Sequence, residues 1–131
     1  MEKYQPFSLS FRGLVKPDVA GTYTFSAEVE NADDRVRLWV ANRLVMDDWL
    51  SLTSLTPSAT FAFASDSVLE DIRIEYKTTE SCVYLCYDLK LKWQSSATSG
   101  SQVVIPSSNL FQRGDFSGVP VSLAIATLAW S

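Results

Sequence analysis

The sequence predicts an all-β protein: an antiparallel β-sandwich or barrel of two packed sheets with little helix. Apolar and polar residues alternate in many short stretches, which is the period of a strand with one buried face. The i, i+3, i+4 spacing of an amphipathic helix does not extend over any long window. Gly, Pro, Asn and Asp stand between the alternating stretches, where they favour turns. A chain of 131 residues is long enough to bury a core in one such domain.

Alternation in the first half of the chain predicts four strands. Their apolar positions are Phe7, Leu9 and Phe11; Tyr23, Phe25, Ala27 and Val29; Val36, Leu38 and Val40; and Leu44 to Met46. Turn residues at Pro17-Asp18 and in the acidic segment 30–34 separate the first three strands. Asn42-Arg43 fits a two-residue hairpin turn between the third strand and the fourth.

Alternation in the second half of the chain predicts further strands, with fewer turn residues between them. They contain Phe61 and Phe63; Ile72, Ile74 and Tyr76; alternate positions from Val83 to Trp93; Val103 to Ile105 as a short edge strand; and Gly118 to Trp130. The run ending at Trp93 has one wholly apolar face, so we expect Trp93 in the core between two sheets. We expect residues 1–117 to form one module, and residues 118–131 to be its last strand or the start of an adjoining β domain.

Composition and charge exclude several function classes. The net charge is −4, from 11 basic and 15 acidic residues without a basic run, so nucleic acid and direct membrane insertion are not expected. The chain has no histidine, which removes Ser-His and Cys-His nucleophile pairs and histidine-based metal sites. Carboxylates must therefore carry any chemistry. Asp and Glu alone suffice for glycoside hydrolysis, so composition leaves that reaction open, although no spacing singles out a carboxylate pair for it.

The two cysteines and the N-terminus leave the compartment open. Cys82 and Cys86 would lie about 13 Å apart in one extended strand, beyond the roughly 7 Å limit for a disulfide, so they can pair only if residues 83–85 form a loop. The N-terminus lacks the apolar region of a secretory signal, and no run is long enough for a membrane span. A targeting signal is therefore expected elsewhere in a longer protein.

The order of the motifs resembles a known family. The motifs are Phe7 to Pro17, Gly21-Thr-Tyr-Thr-Phe25, Asp33-Asp34, Arg37-Leu-Trp-Val40, Leu44 to Trp49, Ile72-Arg-Ile-Glu-Tyr76, Leu89 to Trp93 and Val104 to Phe111. Together they resemble the domain family named after the N-terminal fragment of anthrax protective antigen, over about residues 7 to 111. The resemblance implies a β-sandwich module of adhesins, toxins, glycosidases and other surface or secreted proteins. Many of its members bind carbohydrate without catalysis.

The resemblance also implies a calcium site at Asp33 and Asp34. In the sugar-binding members, two consecutive aspartates joined by a cis peptide bond chelate one calcium ion, and vicinal sugar hydroxyls complete its coordination. Thr78 stands near the position of the family's asparagine ligand, and Glu80 or backbone carbonyls can substitute for it. The implied ligands are therefore Asp33, Asp34, Thr78 and Glu80, with calcium as cofactor. Ordinary turn chemistry, in which both aspartates accept backbone hydrogen bonds, is the alternative.

Two further residues are assigned to carbohydrate binding. Arg35 replaces the glycine that follows the aspartate pair in the family, and its cation can also pair with either aspartate and compete with the metal. Trp39 is out of phase with the apolar residues of its strand; it is either an exposed ring for sugar stacking or a ring packed on the second face of the sandwich. Asp47-Asp48-Trp49 is expected to serve turn and packing roles, and Arg113-Gly114-Asp115 to form a turn rather than an integrin motif.

We therefore expect a non-catalytic carbohydrate-binding or adhesion module of a larger extracellular or cell-surface protein. Its partners would be glycans, neighbouring surface proteins and adjoining domains of the same chain, with loops 50–57 and 77–82 shaping specificity. A structural spacer or protein-interaction module of a filament, toxin or surface fibre is the first alternative, and an accessory insert of a glycosidase is the second. A trans Asp33-Asp34 bond with Arg35 paired to either aspartate would favour the spacer.

Overall fold

The computed structural model describes residues 7–78 and 89–112. The strands in these ranges are β1 (Phe7–Val15), β2 (Gly21–Val29), β3 (Asp34–Val40), β4 (Arg43–Asp48), β5 (Ser58–Phe63), β6 (Glu70–Thr78), β7 (Leu89–Gln94), β8 (Val103–Val104) and β9 (Leu110–Gln112). Two short 3-10 turns, Ser96–Thr98 and Ser107–Asn109, are the helical elements of the described ranges. The all-β prediction is therefore confirmed.

The strands form two antiparallel sheets. One sheet has five strands in the order β4-β3-β6-β1-β9, and the other has four in the order β5-β2-β7-β8. Strand β6 pairs along its whole length with β1 on one side and from Ile72 to Thr78 with β3 on the other. The predicted edge strand at Val103 is present as β8 at the end of the four-stranded sheet.

The core lies between the inner faces of the two sheets and contains residues of both. Its aromatic centre is Trp93, which is 0% exposed, with the Tyr23 ring 4.6 Å and the Phe25 ring 6.1 Å from it between centroids. Phe63 packs edge-on against Tyr23 at 5.3 Å. Ile72, Ile74 and other aliphatic residues of the five-stranded sheet complete the same cluster. The predicted core position of Trp93 is confirmed.

One predicted turn differs from the structure, and one strand is present that the sequence does not predict. The β3–β4 hairpin turn is made by Ala41 and Asn42, with φ of 53° and 64°, because Val40 pairs with Arg43. The predicted turn at Asn42-Arg43 is therefore one residue late. Strand β9 was not predicted, since three residues are too few for a visible alternation. The predicted strand at residues 118–130, the module boundary at 117 and the first part of the run 83–93 lie outside the described residues.

Gly13 is the point of closest approach among three strands. It lies opposite Ile72 of β6 and opposite Gln112 of β9. A β-carbon at this position would lie 2.7 Å from the backbone oxygen of Phe111 and 2.9 Å from the Phe11 ring. A backbone oxygen cannot move aside as a flexible side chain can, so any side chain here displaces β9.

We predict that Gly13→Ala lowers the free energy of unfolding by about 1–3 kcal/mol, because the added methyl overpacks this contact. Urea denaturation followed by tryptophan fluorescence measures the change. Ser10→Ala, at an exposed position of the same strand, is the control and should change stability by less than about 0.5 kcal/mol. Equal stability of the Gly13 variant and the parent would contradict the close approach of β9.

Candidate functional site

The candidate site lies at the end of the sandwich where β2 passes into β3. Because β3 and β6 are antiparallel, the first residue of β3, Asp34, pairs with the last residue of β6, Thr78. Two of the predicted metal ligands are therefore neighbours across the sheet. Glu80, like Cys82 and Cys86, lies outside the described residues.

The segment between β4 and β5 reaches the same end of the sandwich. The backbone N–H groups of Ala27 and Val29, near the end of β2, donate to the carbonyls of Pro57 at 2.9 Å and Leu55 at 3.0 Å. Within this segment Leu50 is 92% exposed. The topology thus places the predicted specificity loop 50–57 beside the acidic turn.

The carboxylate of Asp34 organises the acidic turn. Its Oδ2 accepts hydrogen bonds from the backbone N–H groups of Glu30 at 3.1 Å and Asn31 at 3.0 Å. The backbone N–H of Asp34 in turn donates to the carbonyl of Asn31 at 3.0 Å. These contacts satisfy backbone donors where the chain reverses direction between β2 and β3.

The second carboxylate oxygen of Asp34 has a different environment. Asp34 is 0% exposed, and its Oδ1 accepts no hydrogen bond of standard geometry from the described residues. Burial raises the pKa of Asp34, whereas the N–H groups of Asn31 and Glu30 and the nearby hydroxyls of Thr78 and Tyr76 act in the opposite direction without cancelling it. A buried carboxylate oxygen without a donor is stabilised by a cation or by a proton. Asp33, by contrast, is partly exposed in the turn.

The Asp33-Asp34 peptide bond is trans, as are the other described peptide bonds. The Nη1 of Arg35 donates to the carbonyls of Ala32 and Asp34, each at 2.8 Å, and makes no ion pair with a carboxylate of the described ranges. Of the two features expected of a spacer module, the structure therefore has the trans Asp33-Asp34 bond and lacks the ion pair between Arg35 and an aspartate. No group of three or more His, Cys, Asp or Glu side chains able to hold a metal occurs in residues 7–78 and 89–112.

Trp39 lies on the outer face of the five-stranded sheet. Its neighbours across the sheet are Leu44 of β4 and Arg73 of β6, and its side chain is partly buried. The guanidinium carbons of Arg37 and Arg73 lie 5.3 Å and 4.7 Å from the centroid of its ring. The ring therefore packs on cations of its own sheet rather than in the core between the sheets.

Alternating cations and rings form a cation–π ladder on this outer face, made of Lys77, Trp49, Arg37, Trp39 and Arg73. The Trp49 ring has Lys77 Nζ at 4.2 Å and Arg37 Cζ at 4.1 Å from its centroid. Trp49 thus has the packing role predicted for it. Such contacts fix the directions of long side chains that would otherwise be mobile.

Glu75 binds two arginines of the ladder. Its Oε1 accepts from Arg37 Nε at 2.6 Å and its Oε2 from Arg73 Nη2. Partial burial alone would raise the pKa of Glu75, but the hydrogen bonds and charges of Arg37 and Arg73 outweigh it and lower the pKa. Ionised Glu75 therefore stabilises the fold at neutral pH, and this stabilisation is lost as the pH falls through the lowered pKa.

Sequence interpretation missed a shallow pocket on the same face. It has a volume of about 50 Å³ and is lined by Arg12, Trp39, Asn42, Asp71 and Arg73. Arg12 and Arg73 occupy polar positions in alternating strands, so their outward direction was visible in the sequence. Their pairing depends on the β1–β6 register, which places them directly opposite each other.

We predict that Glu75→Gln lowers stability by about 1 kcal/mol at pH 7, since the ion pairs are partly exposed. The difference from the parent should persist down to the ordinary glutamate pKa of 4.5 and shrink as the pH falls further. Urea denaturation between pH 3 and 7 measures it, with Glu70→Gln, which removes no ion pair of the described residues, as control. A difference that does not change with pH would contradict the assignment.

We predict that two substitutions of Asp34 lower the free energy of unfolding by different amounts. Asp34→Ala leaves the N–H groups of Glu30 and Asn31 without their acceptor, and the cost should be about 2–3 kcal/mol. Asp34→Asn keeps an acceptor oxygen and removes a buried charge, so its stability in chelator should lie within about 1 kcal/mol of the parent. Thermal and urea denaturation measure both variants. Equal losses of stability in the two variants would contradict a stabilising role for the hydrogen bonds from the turn to Asp34.

Comparisons with known proteins agree with this architecture. The model of the PA14 domain family matches residues 1–108. The anti-sigma-I factor RsgI3 of Acetivibrio thermocellus is 33% identical over 105 residues, which are 80% of this chain and 15% of RsgI3. A solved anti-sigma factor domain-containing protein from Clostridium clariflavum has 28% identity and a TM-score of 0.63, over 79% of this chain and 32% of its own.

Two other solved structures are similar. An anti-sigma factor domain-containing protein has 31% identity and a TM-score of 0.61, over 79% of this chain and 32% of its own. The PA14 domain of the antifreeze protein MpAFP shares the fold, with a TM-score of 0.62 at 20% identity, over 81% of this chain and 52% of that one. The chain thus corresponds to a segment of the longer proteins that it matches.

The matched family occurs in a characteristic class of proteins. PA14 domains are modules of extracellular type found in adhesion and carbohydrate-binding proteins, and they are generally non-catalytic. Neither helical turn of the described residues is long and apolar enough to cross a membrane. The resemblance read from the ordered motifs is confirmed by the family match over most of the chain and by the fold: this chain belongs to the PA14 domain family.

Proposed function

We propose that this chain is a non-catalytic carbohydrate-binding module of a larger extracellular or cell-surface protein. It would take a sugar, with a calcium ion, at the Asp33-Asp34 end of the sandwich. The observation that carries this proposal is the buried Oδ1 of Asp34, which accepts no hydrogen bond of standard geometry from the described residues. Membership of a family found in adhesion and carbohydrate-binding proteins supports it.

The residues at this end fit part of a calcium coordination shell. Calcium prefers six to eight hard oxygen ligands. The Asp34 Oδ1, the partly exposed Asp33 carboxylate and the adjacent Thr78 hydroxyl are such oxygens, with Glu80 and sugar hydroxyls as the proposed remainder. When bound, the ion would neutralise the buried carboxylate and accept the vicinal hydroxyls of a sugar.

Neighbouring residues would contribute to sugar recognition. Arg35 is fixed by two backbone carbonyls, so its remaining N–H groups are held in place beside the aspartates and can donate to sugar hydroxyls. The exposed Leu50 offers an apolar contact for the C–H face of a sugar ring. Trp39 lies further along β3 with arginines on its ring, and sugar stacking on it stays a prediction outside this site.

A protein-interaction or spacer module is the second candidate, and a specific observation favours it. The Asp33-Asp34 bond is trans, and Oδ2 of Asp34 is used to hold the acidic turn. Both features suit a structural turn that needs no metal. RsgI3 and the two anti-sigma factor domain-containing proteins are longer than this chain, and the matched segment is 15% or 32% of their lengths.

Calcium titration by calorimetry tests the first candidate, followed by a glycan array with and without chelator. We expect a dissociation constant of about 1 mM or tighter, in the range of extracellular calcium modules. Asp34→Asn should weaken calcium and glycan binding at least about tenfold, because a charged ligand is lost. Asp66→Asn is the matched control, since Asp66 lies between β5 and β6 at the other end of the sandwich.

The outcomes separate the two candidates. Absence of calcium binding at millimolar concentration, with any glycan binding unchanged by chelator, would overturn the calcium mechanism. Absence of both calcium and glycan binding would favour the protein-interaction candidate. Equal effects of the Asp34 and Asp66 substitutions would show that the acidic turn is not the binding site.

A further inference from the structure

Two arginines face each other on the outer surface of the five-stranded sheet. Arg12 of β1 and Arg73 of β6 are directly opposite in an antiparallel pair, an arrangement that destabilises a sheet when both side chains carry the same charge. Arg73 shares Glu75 with Arg37, whereas Arg12 makes no ion pair with any residue of the described ranges. Arg73 is therefore compensated by Glu75, and the Asp71 carboxylate lines the pocket between the two arginines. Arg12 is the member of the pair whose N–H groups an anionic ligand would bind.

The surrounding face has the same sign. The outward positions of this sheet carry five cations, Arg12, Arg35, Arg37, Arg73 and Lys77, against three carboxylates, Asp47, Asp71 and Glu75, although the chain as a whole carries a net charge of −4. A local excess of cations in an acidic protein attracts anionic ligands to that face. The ladder also holds the guanidinium groups in place, with Arg73 Cζ at 4.7 Å from the Trp39 ring centroid.

The pocket between the two arginines limits what can bind. Its volume of about 50 Å³ is enough for one small polar group rather than for a whole ring. Planar guanidinium groups match the geometry of a carboxylate and can hold it by paired hydrogen bonds. The dimensions and the chemistry together indicate one carboxylate, carried by a ligand that lies outside the pocket.

The other walls of the pocket distinguish between sources of that carboxylate. Asn42 provides an amide, and its Nδ2 lies 3.5 Å from Oδ2 of Asp71. The Asp71 carboxylate accepts hydrogen bonds from hydroxyl groups and repels every carboxylate of a ligand, so it disfavours a ligand that brings several. A ligand with one carboxylate and several hydroxyls therefore fits these walls better than a peptide with successive acidic side chains.

We propose that Arg12 and Arg73, with Trp39, Asn42 and Asp71, form a binding site for the carboxylate of a uronic acid unit in an anionic polysaccharide. This site is on the outer sheet face and is separate from the acidic turn at the end of the sandwich. It needs no metal, and it stands or falls independently of the proposed calcium site.

The test is a calorimetric and NMR titration, in chelator, with tetramers of glucuronic, galacturonic and mannuronic acid. The carboxyl-reduced tetramers, which keep the ring and lose the charge, are the matched ligands. We expect at least one uronate to bind, its reduced form to bind at least about tenfold more weakly, and binding to weaken as salt is raised. Chelator keeps the result independent of calcium.

Variants assign the binding to the pocket. Arg12→Gln, at an exposed position, should fold normally by circular dichroism and weaken uronate binding about tenfold or more. Lys90→Gln is the control for charge, because Lys90 pairs with Glu28 on the four-stranded sheet. Failure of all three uronates to bind, equal binding of reduced tetramers, or an unaffected Arg12 variant would overturn the proposal. Poly-L-glutamate binding as tightly as the uronate and with the same dependence on Arg12 would overturn the polysaccharide as its source.

Discussion

The alternation of side chains along β6 is the constraint on which both candidate sites depend. This strand lies at the centre of the five-stranded sheet, paired with β1 over its full length and with β3 from Ile72 to Thr78. Ile72 and Ile74 point into the core, whereas Arg73 and Glu75 point outward. A one-residue slip of register would exchange the two sets, burying charges and exposing the core. The free-energy cost of that exchange keeps β6 in one register, and this register positions the residues of both the acidic end and the basic face.

Local sequence patterns were sufficient to predict most of the fold. The alternation around Val36 and Leu38 identified β3, and the wholly apolar row ending at Trp93 identified a core strand, because period-two burial is a property of the strand itself. The hairpin turn was placed one residue late because Ala41 adopts a positive φ that its side chain does not favour. The position of the turn is set by the pairing register of β3 and β4, and this register cannot be predicted from the turn preferences of single residues.

The candidate sites were only partly predictable for the same reason. The acidic pair was found from the order of the motifs, and Asp34 stands in phase with Val36, so its burial follows from the alternation of β3. Its two oxygens differ because one meets the N–H groups of the turn and the other does not, which is a matter of loop geometry. Arg12 and Arg73 are far apart in sequence and meet only through β1–β6 pairing.

The two proposed sites lie in neighbouring parts of one sheet and bind ligands of opposite charge, a cation at Asp34 and a carboxylate at Arg12 and Arg73. Of the two proposed sites, one is at the fully buried Asp34 carboxylate, where salt would weakly screen a bound cation, whereas the Arg12–Arg73 pair lies on the surface and is strongly screened. Ionic strength therefore separates them experimentally. A polysaccharide with both uronate and neutral diol units can engage the two sites at once only if its chain spans from the outer face to the end of the sandwich. Because the same two strands, β3 and β6, carry residues of both sites, their spacing is fixed, and the second contact then becomes intramolecular with a raised effective concentration.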